Sequence, residues 1–154
     1  MKIVVGDLLK LANDGQFDVI VHGCNCFHVM GAGIAGQIAD RYPEALQADK
    51  DDTKYGDVTK LGTYSYVYVG SMLSGHMVQV VHMYTQYKPG RCAKEVLYPS
   101  IRAGFSLLDD KCVSGSRVGI PMIGCGIAGG DWDEVCSIIK EAAPNLDITL
   151  VMWG

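Results

Sequence analysis

The amino-acid sequence predicts one three-layer α/β/α domain, in which helices cover both faces of a mixed, mostly parallel sheet of about six strands. Short β-branched or aromatic runs alternate along the chain with segments of helical periodicity. Most of the strand runs are apolar nearly throughout, which is typical of strands covered on both faces. The chain has 154 residues, 49% of them hydrophobic, so residues 1–154 have the length of one domain and enough apolar side chains for a core.

Six short segments are predicted as strands because they are β-branched or aromatic and are bounded by glycine or polar residues. They are Lys2–Val5, Val19–His22, Tyr64–Val69, Val78–Met83, Arg117–Pro121 and Ile148–Met152. The third and fourth are joined by Gly70–Met77 and are predicted to form a hairpin, with Met72 and His76 in its loop. We expect the other strands to be joined by parallel crossovers.

Four longer segments are predicted as helices, and a short helical turn is expected after Gly6. The helices are Gly33–Arg41, Pro43–Lys50, Lys94–Lys111 and Asp131–Ala143. Pro43 suits the first position of a helix, and Asp131 suits an N-cap. Pro99 should bend the third helix or delay its start to about Ser100, because proline lacks the N–H that a helix interior needs.

The composition limits the classes of partner. The net charge is −4 with no run of Lys or Arg, which argues against nucleic acid as the main partner. No apolar run approaches the roughly 20 residues of a membrane span, and the first residues, Met1–Gly6, are predicted to form a strand and turn rather than a signal peptide. Six irregularly spaced cysteines indicate reduced thiols, so we expect a cytoplasmic protein, and we expect a monomer.

Two glycine-rich segments each follow a predicted strand and precede a predicted helix. The first is Gly31–Gly36 (GAGIAG) and the second is Gly124–Gly130 (GCGIAGG). Glycine lets a ligand approach the backbone closely, and helix N-termini offer N–H groups to anions. Two such loops that are neighbours in space would hold a diphosphate from both sides. The pattern therefore predicts a site for a nucleotide derivative that is built mainly from backbone.

The common nucleotide motifs fit less well. The first loop matches G-x-G-x-x-G, but Gly23–Met30 separate it from the preceding strand, whereas a Rossmann strand ends directly at the first glycine. Neither loop is followed by a P-loop lysine, which argues against ATP hydrolysis of that type.

The segment between the strand and the first loop, residues 22–28 (HGCNCFH), is dense in reactive side chains and allows three interpretations. A metal site would use His22, Cys24, Cys26 and His28, although the other Cys or His cluster that a structural zinc site needs is absent from the sequence. A cysteine nucleophile would need an activated thiolate. In the third interpretation, Asn25 binds a ribose hydroxyl and His22 acts as a general acid or base, because imidazole titrates near neutrality.

Four motifs together resemble the macrodomain family. They are Gly6-Asp7-Leu8, His22-Gly-Cys-Asn25, Gly31-Ala-Gly33-Ile-Ala35 and Gly124-Cys-Gly126-Ile-Ala-Gly129, and the resemblance runs from Lys2 to Trp153. The stretch His22–Pro43 looks most like the yeast ADP-ribose-1″-phosphate phosphatase branch. The segment Ile123–Gly126 looks like the related terminal ADP-ribose glycohydrolase branch. The resemblance implies a three-layer macrodomain fold and ADP-ribose as the ligand.

The resemblance also implies a role for each motif. Asp7 would accept a hydrogen bond from the adenine amino group, and Trp153 would stack near the adenine. His22 would be catalytic, and Asn25 would contact the distal ribose. Backbone of the two glycine loops would hold the diphosphate from both sides. The residues expected at the ligand besides His22 and Asn25 are Asp7, Leu8, Gly31, Ala32, Gly33, Ile34, Gly124, Cys125, Gly126, Ile127, Ala128, Gly129 and Trp153.

Two departures from the glycohydrolase branch shape the functional prediction. Gln86 stands where that branch has a lysine, and Ala128 stands where it has an aspartate. Lys88 lies two residues further on and is a candidate to replace the missing lysine. His82 or Gln86 is a candidate for ligand contact. Ala128 also leaves room at the distal end for a 1″-phosphate. The sequence therefore predicts an ADP-ribose-1″-phosphate phosphatase without metal or cofactor. An ADP-ribosyl hydrolase acting on protein or nucleic acid and a non-enzymatic ADP-ribose reader are the alternatives.

Overall fold

The computed structural model describes residues 1–71 and 75–153, and for Ser71 it describes the backbone alone. Its strands are β1 (Lys2–Val5), β2 (Val19–Cys24), β3 (Tyr64–Ser71), β4 (His76–Tyr84), β5 (Arg117–Ile120) and β6 (Asp147–Met152). Its helices are α1 (Leu8–Asn13), α2 (Gly33–Arg41), α3 (Pro43–Asp52), α4 (Lys94–Lys111) and α5 (Trp132–Ala142), with a 3-10 turn at Val58–Lys60. Every predicted element is present, with ends that differ by up to two residues.

The six strands form one sheet in the order β1-β6-β5-β2-β4-β3. Only β3 and β4 pair antiparallel among the strands described, which confirms the predicted hairpin within a mostly parallel sheet. His76 begins β4 instead of lying in the hairpin loop, and Met72 lies outside the described residues. Because β2 and β5 are parallel neighbours, the loops that follow them leave the same edge of the sheet side by side.

Helices cover both faces of the sheet, as predicted. One core cluster joins α4 and α5 to one face, and a second joins α1, α2 and α3 to the other. The two edge strands depart from the expectation of strands covered on both faces, since Ile3 and Val5 of β1 and Tyr66 and Tyr68 of β3 are exposed. No helix in residues 1–71 or 75–153 is long and apolar enough to cross a membrane.

Helix α4 begins at Lys94, so Pro99 does not delay its start to Ser100. Proline at the sixth helical position removes one backbone hydrogen bond, and its ring lies on the exposed side of the helix. The opposite side carries a fully buried stripe, Leu97, Ile101, Phe105 and Leu108. Burial of this stripe on both sides of Pro99 stabilises the helix by more than the missing bond costs.

Candidate functional site

A groove of about 340 Å³ opens at the edge of the sheet where β2, β4 and β5 end. It continues into a second hollow of about 390 Å³, because Ile34, Pro121 and Met122 line both. A larger groove of about 780 Å³ lies elsewhere, beside Tyr64, Tyr66 and the end of α4, and neither glycine loop lines it. The extended groove between the two glycine loops is therefore the candidate site.

The first glycine loop forms the entrance to α2. Ala32 is the N-cap residue and has no side chain that can cap, while Gly33 adopts a positive φ of 56°. Within the described chain, no acceptor is bonded to the backbone N–H groups of Gly33, Ile34 and Ala35, the first turn of α2. Gly31, Ala32, Gly33 and Ile34, which are predicted to contact the ligand, all line the groove. This helix start presents unpaired donors and the positive end of the helix dipole to the groove.

The second glycine loop faces the first across the groove. Gly124 has a positive φ of 73°, and its carbonyl accepts a 2.7 Å hydrogen bond from Gly130 N–H, which closes the loop on itself. The N–H groups of Gly126, Ile127 and Ala128 have no acceptor among the residues described, and all three residues line the groove. This loop therefore offers a second set of unpaired donors.

Two predicted contacts of this loop do not reach the groove. Cys125 N–H is bonded to Met122 O, its thiol donates to Ile123 O at 3.3 Å, and burial raises the thiol pKa to about 11. Gly129 N–H is bonded to Gly126 O, and the Arg91 side chain covers it. Neither residue lines the groove, because these bonds turn them toward the protein.

The residues predicted to lie near adenine are found at the other end of the groove. Leu8 and Trp153 line it, with Trp153 69% exposed. Asp7 lies in an adjoining hollow that Trp153 also lines. One oxygen of Asp7, Oδ1, caps α1 by accepting from Leu9 N–H at 3.0 Å and Lys10 N–H at 3.3 Å. Its Oδ2 makes no bond within the described residues and is available to a ligand.

Asn25 lines the distal part of the groove and also shapes it. Its Oδ1 accepts from Phe27 N–H at 2.9 Å, and its Nδ2 donates to Val29 O at 2.9 Å. The second Nδ2 hydrogen remains for a ligand, since an amide nitrogen carries two donors. Asn25 therefore has a structural role in holding residues 25–29, in addition to its predicted contact with the ligand.

His22 is placed away from the groove, which corrects its predicted position at the reacting centre. Its side chain is fully buried and does not line the groove. Side chains alternate along a strand, so Gly23 faces the groove while His22 and Cys24 face the opposite layer. His22 Nε2 lies 2.6 Å from His82 Nδ1, and His82 Nε2 lies 2.8 Å from Ala45 O in α3.

These bonds assign the tautomers of the histidine pair. The Ala45 carbonyl can only accept, so His82 carries its proton on Nε2 and His22 donates from Nε2 to His82 Nδ1. Cys24 Sγ lies 3.6 Å from His22 Nδ1 and 3.5 Å from His22 Nε2, and in this tautomer Nδ1 is the nitrogen that can accept the thiol proton. Burial lowers the pKa of both imidazoles and raises the pKa of the Cys24 thiol. The three groups are therefore neutral, which is unsuited to a thiolate nucleophile.

The metal set that one of the three interpretations would use, His22, Cys24, Cys26 and His28, does not converge. Cys26 Sγ donates to Gln86 O, and His28 Nε2 bonds with Thr53 Oγ1 at 3.0 Å. Side chains 22, 24 and 82 do lie within 4.8 Å of one another, but the two imidazoles bond directly to each other.

One groove residue that the sequence analysis did not single out is Thr85, which follows β4. It lines the groove and is 1% exposed, and its Oγ1 has no hydrogen-bond partner in the part of the chain that is described. Gly23, also missed, lies beside it. The available signal was position, since Gly23 lies near the end of β2 and Thr85 directly follows β4. Residues at the ends of adjacent parallel strands meet at the same edge of the sheet.

A family model described as Macro domain matches residues 21–139. The chain belongs to the Macro domain family. The macrodomain is 36% identical to a 17.5 kDa protein in the tk-vs intergenic region of Enterobacteria phage T4, over 99% of this chain and 96% of that protein. It is 34% identical to the DNA ADP-ribosyl glycohydrolase of Mycobacterium tuberculosis, over 96% of this chain but only 40% of the relative's length.

Solved structures agree with this assignment. The macrodomain of Mycobacterium tuberculosis DarG is 26% identical with a TM-score of 0.76, and 98% of this chain and 96% of that chain are covered. The macrodomain of Thermus aquaticus DarG has a TM-score of 0.75 at 23% identity, with the same coverage. The family and its fold are thus as predicted, while the finer resemblance to the yeast phosphatase branch stays a prediction.

Gln86 and Ala128, the two positions at which the macrodomain departs from the glycohydrolase branch, both line the groove. Gln86 lines the groove, and its Nε2 donates to Lys88 O and Gly90 O, both at 2.8 Å. Gln86 therefore holds its own loop closed, while Lys88 is exposed outside the groove. The Ala128 methyl is buried at the groove wall. None of the lining residues described has an ionisable side chain, so backbone and neutral groups form the groove.

Proposed function

We propose that this macrodomain binds ADP-ribose along the groove, with the diphosphate between the two glycine loops. The observation that carries the proposal is the pair of loops with unpaired N–H groups facing one groove from neighbouring strands. Backbone N–H groups bind phosphate oxygens directly, and the N-terminus of α2 adds its dipole. Adenine then lies at Leu8 and Trp153, and Asp7 Oδ2 accepts from its amino group.

The activity that we propose for this site is hydrolysis of ADP-ribose-1″-phosphate. Water attacks the phosphorus, the bond from phosphorus to the 1″-oxygen breaks, and a proton from the water passes to that oxygen through solvent. The products are ADP-ribose and inorganic phosphate. Unpaired N–H groups stabilise the charge that develops on the phosphoryl oxygens. Asn25 orients the distal ribose, and the small Ala128 side chain leaves space for the 1″-phosphate.

His22 takes no proton in this proposal, because it is buried and bonded to His82. It acts instead as a positioning residue within β2, where it precedes Gly23 and ties the strand to His82. A lysine adduct is also absent from the proposal, since Gln86 occupies the lysine position and its amide hydrogens are used within its loop.

A second candidate is release of ADP-ribose from a modified macromolecule. It is favoured by the similarity to the mycobacterial DNA ADP-ribosyl glycohydrolase and by 25% identity to the ADP-ribose glycohydrolase OARD1 of Bos taurus. Both activities use the same adenine and diphosphate contacts, and they differ in what is attached at the distal ribose.

The deciding experiment measures phosphate release from ADP-ribose-1″-phosphate and ADP-ribose release from modified protein and modified DNA. Asn25→Ala should weaken ADP-ribose binding by calorimetry and lower turnover at least tenfold. Asn145→Ala is the matched control, because Asn145 bonds to Asp109 and lies outside the groove. Phosphate release that depends on Asn25 supports the phosphatase, whereas ADP-ribose release alone supports the second candidate. Binding without either product indicates a reader, and failure to bind ADP-ribose refutes the proposal.

A further inference from the structure

The floor of the groove contains a buried hydroxyl without a partner. Thr85 Oγ1 is buried, and none of the described residues donates to it or accepts from it. The neighbouring N–H groups cannot serve it, because Thr85 N–H and Gln86 N–H both donate to Cys24 O. A buried hydroxyl that lacks a hydrogen bond costs stability, and such groups are rare in folded proteins. The position of Thr85 in the groove offers an explanation for its unpaired hydroxyl, because a bound ligand could supply the missing hydrogen bond.

The hydroxyl faces Gly23 across the gap between β4 and β2. A Cβ built on Gly23 would lie 2.9 Å from Thr85 Oγ1 but 3.9 Å from Thr85 Cβ, so the oxygen is the nearer atom. It would also lie 3.4 Å from Ile123 Cγ2. All three residues line the groove. A side chain at Gly23 would therefore press against the hydroxyl, whereas glycine leaves only a hydrogen atom between Oγ1 and the groove.

We infer that Thr85 Oγ1 is a ligand-recognising group at the distal end, where it bonds to an oxygen of the distal ribose or of its 1″-substituent. The inference rests on the proposed function, because it takes the ligand to be ADP-ribose or a derivative. It assigns Thr85 the selection of ligands that carry the distal ribose over those that end at the diphosphate. Thr85 lines the same part of the groove as Asn25 and Gln86, and it does not line the hollow of Leu8 and Trp153, where adenine is proposed to lie.

The chemistry of a threonine hydroxyl suits this role. It donates one hydrogen bond and accepts others, so it pairs with a ribose hydroxyl or with a phosphate oxygen. It carries no charge, so it adds selectivity for the distal group without adding general affinity for anions. Oγ1 has no hydrogen bond to give up among the described residues. The free energy of a new hydrogen bond to the ligand therefore contributes to binding in full.

The test compares Thr85→Val with Thr85→Ser, using calorimetry with ADP-ribose and with ADP as probes. Valine keeps the shape and removes the hydroxyl, and we expect about tenfold weaker ADP-ribose binding with unchanged ADP binding. Serine keeps the hydroxyl and should stay within about twofold of the parent. Without ligand, T85V should raise Tm by about 2–4 °C, because it removes an unpaired buried polar group. A merely structural hydroxyl would give a lower Tm and no difference between the two probes.

Gly23→Ala gives an independent variant, since its methyl would lie against Oγ1 and block the approach. It should weaken ADP-ribose binding and spare ADP. Thr149→Val is the matched control, because Thr149 is buried in β6 outside the groove. Parent protein that binds ADP-ribose, with T85V binding it equally well, overturns the inference and leaves the proposed function standing. Parent protein that binds no ADP-ribose overturns both.

Discussion

Replacing His22 with alanine tests the revised role of this residue, because the catalytic and the positioning roles predict opposite results. The imidazole is fully buried and donates to His82 Nδ1 at 2.6 Å. Its removal leaves a cavity in a packed layer and leaves that buried acceptor without a donor. We add a cavity and transfer cost of about 2–3 kcal/mol to about 1–2 kcal/mol for the unpaired nitrogen, which gives about 3–5 kcal/mol.

Such a loss is a large part of the 5–15 kcal/mol that stabilises an ordinary domain. The assay is urea unfolding followed by tryptophan fluorescence, with the midpoint and slope compared between parent and variant. His28→Ala is the matched control, because the half-buried His28 ring bonds only to Thr53 among the described side chains and should cost about 1 kcal/mol. An H22A protein of parental stability that binds ADP-ribose but has lost turnover would refute the reasoning and restore the catalytic assignment.

The remaining predictions concern pH, packing, charge and thiol reactivity. Burial lowers the pKa of both paired imidazoles from the ordinary 6.5, so the unfolded state binds more protons below that pH. Urea titrations should show an unfolding free energy that is intact above pH 6.5 and falls on acidification, by up to about 1.4 kcal/mol per pH unit for each histidine. Gly130→Ala would put a methyl 2.6 Å from Gly124 O, so we expect at least tenfold weaker ADP-ribose binding by calorimetry and a loss of about 1–3 kcal/mol. Unchanged binding would exclude the second loop from the site. Arg117→Ala should cost at most about 1 kcal/mol in the same unfolding assay, because its ion pair with Asp18 is 45% exposed on both sides. With a pKa of about 11, Cys125 should react with iodoacetamide at pH 8 roughly 100-fold more slowly than an ordinary thiol, as followed by mass spectrometry.

The sequence predicted the elements and their connections because their signals are local. Strands such as Val78–Met83 are short apolar runs, and Pro43 and Asp131 occupy the helix starts where their chemistry is useful. The sequence predicted only conditionally that the two glycine loops lie close together. Their proximity depends on β5 pairing beside β2, which no local pattern reveals. Pro99 was misjudged for a related reason, because burial of the opposite face of α4 outweighs a local propensity.

The candidate site was predicted better in its backbone than in its side chains. Glycine spacing identified most of the lining of both loops, since backbone exposure follows from residue type. His22 was chosen for its chemistry, yet a two-residue period along β2 turns it away and turns Gly23 toward the groove. Which face of a strand meets the ligand depends on the layers packed around it. For the same reason Thr85 carried no signal until β4 was placed beside β2.

The neutral lining of the groove also has a kinetic consequence. A chain with a net charge of −4 repels a dianionic ligand at long range. Arg91 lies against Gly129 and Lys10 lines the hollow of Asp7, but no described residue that lines the groove itself is cationic. Added salt screens that repulsion, since the Debye length shrinks from about 30 Å at 0.01 M to about 10 Å at 0.1 M. Association should therefore accelerate as ionic strength rises, opposite to the behaviour of phosphate sites built from lysine and arginine. Ligand capture then depends on short-range fit after encounter, so the protein gains selectivity at the expense of attraction from a distance.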